Sequence, residues 1–175
     1  MVHGYADRWA DLRGRCIFPA EQNRVCLNKG KYFVDVAPQV GWQAKGASRG
    51  VALANFDSHG SLDVLITKQF APAMLYRNKT TQQKAWVGIC LVGNGRTCNR
   101  DALGNKVIVA GPHGPQRREQ VAANGFSAQS EHRLLFGLGG AKAIGPEAVT
   151  VDWCGRGPRQ VFQLTANDYH RLEQK

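Results

Sequence analysis

The chain has 175 residues, 43% of them hydrophobic, enough for one ordinary domain or two small ones with a buried core. It sets 23 Lys and Arg against 13 Asp and Glu, a formal charge of +10. No run approaches the roughly 18 apolar residues of a membrane-spanning helix, which argues against a helical span. The positive charge invites nucleic acid or an anionic surface. The basic residues are scattered, however, densest at Arg117-Arg118 and at Arg156 with Arg159, so a solvated basic surface is the expectation rather than a nucleic-acid partner. Residues 1–8 lack the apolar core of a signal peptide. That leaves a cytoplasmic protein, or a piece of an exported chain that begins after its leader.

In chain order, residues 1–22 form an N-terminal segment without a clear period. Tyr5, Trp9 and Leu12 fit one face of a short helix from Ala6 to Leu12, hemmed in by Gly4 and Gly14. From Asn23 the texture becomes that of strands. Short β signals fall at 24–28 and 32–36 around the turn Lys29-Gly30-Lys31, then at 49–54, 62–67 and 74–78. The polar run from Lys79 to Lys84 reads as a boundary, dividing residues 23–83 from 84–175.

The second half opens with Trp86 to Val92 and continues with strands at 106–110 and 116–122, a hairpin through Gly111 to Pro115. A further strand is expected at 133–136, a second hairpin from 148–153 and 160–164, and a turn from Ala166 to His170 near the end. Strands spaced by turn signals, with no useful helical period, predict an all-β protein.

Five cysteines, with no C-x-x-C pair, argue against a zinc site. Cys16 with Cys26, and Cys90 with Cys98, bracket short loops and could close disulfides in an oxidising compartment. Cys154, beside Trp153, reads as a small buried residue.

The stretch Asn55-Phe56-Asp57-Ser58-His59-Gly60-Ser61-Leu62-Asp63 carries the most chemistry. Calcium takes six to eight oxygens, and a tight loop supplies them from alternate residues, with a glycine for the turn and a closing carboxylate. Asn55, Asp57, His59 and Asp63 stand at the side-chain positions, and Ser61 at the one that would use its carbonyl. Only Asp57 and Asp63 are carboxylates, and His59 offers nitrogen, which suits a transition metal better than calcium. The scaffold is that of a calcium loop with half its charge missing. A turn without an ion, held by side-chain caps on nearby N–H groups, is slightly favoured over calcium, and a transition metal comes last.

Other groupings have plainer readings. Asn99-Arg100-Asp101 is expected to fix a loop through an ion pair. Ser127, Ser130, Glu131 and His132 cluster in sequence, but no G-x-S-x-G elbow frames Ser127 and a triad is defined by geometry. Gly137, Gly139 and Gly140 lack the βαβ setting of a dinucleotide fingerprint. Trp86 and Trp153 fall in strand patterns and read as core, and Trp42 as the more exposed aromatic. No catalytic residue is expected.

Taken together, the motifs resemble a known pairing. Asn23-Arg24-Val25-Cys26-Leu27-Asn28-Lys29-Gly30 with Phe33-Val34-Asp35-Val36, then Arg49 to Asp57 and Leu75-Tyr76-Arg77-Asn78, resemble an FG-GAP/VCBS-type propeller repeat. Trp86 to Gly93, Asn99 to Gly104, Gly125 to Ser130, Phe136 to Gly139 and Val149 to Trp153 resemble the ASPIC/UnbV domain that follows such repeats in cartilage-acidic-protein-like chains. The resemblance implies a partial propeller-like blade beside a β-sandwich-like domain. It also implies an extracellular or periplasmic setting, calcium in the blade loop, and adhesion or ligand binding rather than catalysis. One blade cannot close a propeller. The chain therefore reads as the C-terminal part of something longer, with exposed strand edges that call for self-association or a protein partner. The class-distinct alternative is an accessory domain of an enzyme acting on a polysaccharide or natural product.

Overall fold

The computed structural model describes residues 22–42, 44–69, 71–80, 84–111, 114–139, 147–154 and 159–175. The helical face expected from Ala6 to Leu12, Cys16 and Arg156 lie outside them. The described residues are all β, with twelve strands in four sheets. No helix among them is long and apolar enough to cross a membrane.

The first half contains a hairpin, β1 (Cys26–Asn28) with β2 (Phe33–Asp35), and an antiparallel meander of β3 (Ser48–Ala54), β4 (Asp63–Lys68) and β5 (Ala71–Tyr76). Alternating apolar and small residues build the meander, and Ile66 on its central strand is fully buried. The hairpin has no such anchor. Both its strands are exposed, with Leu27 at 46% and Phe33 at 69%.

The second half is a sandwich. One sheet runs β12 (Tyr169–Glu173), β6 (Ala85–Val92), β9 (Leu134–Gly139). The other runs β11 (Gln160–Leu164), β10 (Glu147–Asp152), β7 (Lys106–Val109), β8 (Gln116–Glu119). Val87, Ile89 and Leu91 alternate inward along β6 and meet Phe136 and Leu138 from β9. Val107 and Val109 from β7 and Val149 and Val151 from β10 close the core from the other sheet. Fully burying each such side chain contributes about 2 kcal/mol.

Both expected hairpins form, with β7 antiparallel to β8 and β10 antiparallel to β11. Two expectations need correcting. The stretch expected to be only a turn at 166–170 leads into β12, which pairs parallel to β6 from Tyr169↔Gly88 to Glu173↔Val92. A parallel partner comes from far along the chain, so local turn signals do not announce it. The second correction concerns the cysteines. Cys98 pairs with Cys154, with Cα atoms 5.8 Å apart across 56 residues of sequence, while Cys26 and Cys90 are free. The short Cys90–Cys98 bridge is therefore not made, and Cys154 is half of a crosslink rather than a plain core residue. Asn105, fully buried, ties the crosslink to the sandwich. Its amide donates to Cys98 Sγ at 3.3 Å, and its oxygen accepts the Cys154 N–H.

Candidate functional site

The loop between β3 and β4 is the centre of a connected polar cluster. Apolar strands on either side bury its first and last residues, with Asn55 fully buried and Asp63 2% exposed. A buried polar group must find partners or cost several kcal/mol. Asn55 finds them in two directions. Its Oδ1 accepts the His59 N–H at 3.1 Å, closing the turn, and its Nδ2 donates to the Tyr169 hydroxyl on β12 at 2.6 Å. Asp63 accepts the N–H of Phe56 at 3.2 Å and of Asn78 at 2.7 Å. The turn needs backbone freedom at Ser58 and Gly60, with φ of 56° and 90°.

The five residues singled out in the sequence share one loop, and the structure assigns them different tasks. Asn55 and Asp63 point inward as capping acceptors. Asp57 sits nearer the surface, with the guanidinium of Arg77 donating to Oδ2 and the His59 ring lying against Oδ1. The other ring nitrogen of His59 lies 3.2 Å from the carbonyl of Asn78. Ser61 is half-buried. Tested against calcium, this donor set does not fit as it stands. Asn55, Asp57 and Asp63 are all engaged by donors of the protein, and the ion would have to displace them.

Sequence reasoning missed what lies outside the loop. β3 is an edge strand, and its free side is covered by the segment leading into β9. Leu53 N–H donates to Ser130 Oγ at 3.0 Å, and Glu131 N–H donates to the Leu53 carbonyl at 3.0 Å. Two residues on, Asn55 N–H donates to Glu131 Oε1 at 2.8 Å and its carbonyl accepts from Arg133 Nη2 at 2.9 Å. Arg133 also pairs with Glu131 and lies 4.3 Å from the centre of the Tyr169 ring. So the clustered Ser130, Glu131 and His132 form no triad. Ser130 and Glu131 stitch the edge, and His132 contacts Gln129. Their partners lie 76 to 78 residues away in sequence, too far for spacing to reveal.

The other candidates settle as follows. The Asn99 side chain clasps Leu103, donating to its carbonyl at 3.0 Å and accepting its N–H at 2.8 Å, so the amide fixes the loop expected to be held by Arg100. Trp86 and Trp153 are buried. Trp42 is the most exposed of the three, as expected, half-buried and stacked on Tyr76 with centroids 4.0 Å apart.

Burial raises the Tyr169 phenol above its ordinary value of 10.0, and Glu131 adds to this. The Asn55 hydrogen bond and Arg133 pull the other way. Burial also raises Tyr76. A phenol raised in the folded state contributes its full stability below pH about 10 and loses it as pH climbs through the folded-state value. The melting temperature is therefore expected to fall above pH about 10, and less steeply in Tyr169→Phe. Parallel alkaline profiles for the two proteins would rule out this role for Tyr169.

No curated protein matches the chain. Residues 95–175 match the family model described as ASPIC and UnbV. They hold six of the seven sandwich strands and both cysteines of the crosslink, so the match to that family falls on the disulfide-linked sandwich.

Proposed function

We propose that the chain is a non-enzymatic binding or structural module: an FG-GAP/VCBS-type blade fragment fastened to an ASPIC/UnbV domain, acting through protein–protein contact. The observation that carries this reading is the β1–β2 hairpin. Among the described residues its strands pair only with each other, and Leu27, Phe33 and Val34 stand exposed on them, with Tyr32 exposed in the turn between. An isolated two-stranded hairpin is marginal in water, and large apolar side chains exposed on it favour cover by a partner. The outer strand β5 carries Pro72, which cannot donate and blunts that edge against uncontrolled pairing. The basic surface favours an acidic partner. A crosslink between Cys98 and Cys154 accords with an oxidising, extracellular or periplasmic setting.

A second reading, an accessory domain of a polysaccharide- or natural-product-acting enzyme, has one observation behind it. A groove of about 640 Å³ runs beside the stacked Trp42 and Tyr76, with Arg77 and Lys79 on its rim. Aromatic walls with a few polar groups suit a small ligand.

Light scattering of the full chain over a concentration series tests self-association through this surface. Association through the hairpin predicts a mass that rises with concentration and returns to monomer in Phe33→Glu. A chain that stays monomeric throughout rejects self-association as the role of this surface.

A further inference from the structure

Charge at the 55–63 loop is balanced from within the chain. Arg77 lies one residue beyond β5, which brings it back beside the loop. Its Nε and Nη2 stand 2.8 and 2.6 Å from Asp57 Oδ2. The His59 ring faces Asp57 Oδ1, while Asp63 is held by two backbone N–H groups. A divalent ion in such a loop does two things: it neutralises converging carboxylates and pins the turn to the following strand. Both are already done here. The Arg77 guanidinium neutralises Asp57 through charge-assisted bonds, and it links the turn to the end of β5.

We propose that Arg77 is the resident cation of this loop, so that the loop closes without a metal. Replacing Arg77 by a neutral side chain and His59 by an acidic one converts it into a calcium site. In His59→Asp/Arg77→Gln, Asp57 loses the Arg77 guanidinium, and carboxylates stand at the third, fifth and ninth positions. This holds whether or not the hairpin takes a protein partner, and so is independent of the function proposed above.

The test is thermal melting of the full chain in chelator and in millimolar calcium. The wild type is expected to melt at one temperature in both. The double variant should melt lower than the wild type in chelator and gain about 4 °C with calcium, a gain removed by adding Asp57→Asn. A wild-type melt that rises with calcium and loses the rise in Asp57→Asn would overturn the proposal. So would a folded double variant indifferent to calcium. Should the double variant fail to fold, the wild-type comparison still decides the matter.

Discussion

Replacing Cys98 and Cys154 together by serine is expected to cost about 4 kcal/mol, lowering the melting temperature by about 12 °C. The bridge spans 56 residues, and closing so long a loop removes much of the freedom of the unfolded chain. Within that span lie β7 to β10, including Val107, Val109, Phe136 and Val149 of the core. A reductant should lower the wild-type melt toward that of the variant and leave the variant unmoved. Serine at the free Cys26 and Cys90 should change the melt far less. A double variant that melts with the wild type under non-reducing conditions would show that the bridge does not constrain the unfolded chain.

The second large effect is expected at Gly60. Its φ of 90° disfavours any side chain, and a Cβ there would overlap the indole of Trp86. The backbone term is about 1 to 2 kcal/mol and overpacking a buried contact about 1 to 3, so Gly60→Ala should cost about 3 kcal/mol, or about 10 °C. Gly30 separates the two terms. It has a similar φ of 86°, but nothing lies within 4 Å of the position a Cβ would take. Gly30→Ala should therefore lose only the backbone term, about 1 kcal/mol. Equal losses at the two sites would mean that contact with Trp86 contributes nothing.

Gly60 also shows how far the sequence reaches. Its place in the loop is legible because a tight turn requires a glycine there, and the flanking alternation announces β3 and β4. The second reason for the glycine is the close approach of Trp86 from β6, which no local pattern contains. β6 itself is read correctly as a strand. Its two buried faces, the odd residues toward the core and Trp86 and Gly88 toward Tyr169 and the loop, appear only when the halves are docked.

The sequence by itself determined the class of the fold, most of the strands, both sandwich hairpins and the turn at Asn55 to Asp63. Each is a local matter of alternation, turn residues and burial within a few residues. Only the tertiary structure decided the parallel pairing of β12 with β6, the Cys98–Cys154 bridge, the covering of β3 by Ser130 to Arg133, and Arg77 on Asp57. These join residues 20 to 81 positions apart, where the chain's path rather than its spacing selects the partner. The loop whose residues suggested an ion thus has its oxygens claimed partly by N–H groups of its own turn and partly by Asn78 and Arg77, which its own sequence window does not contain.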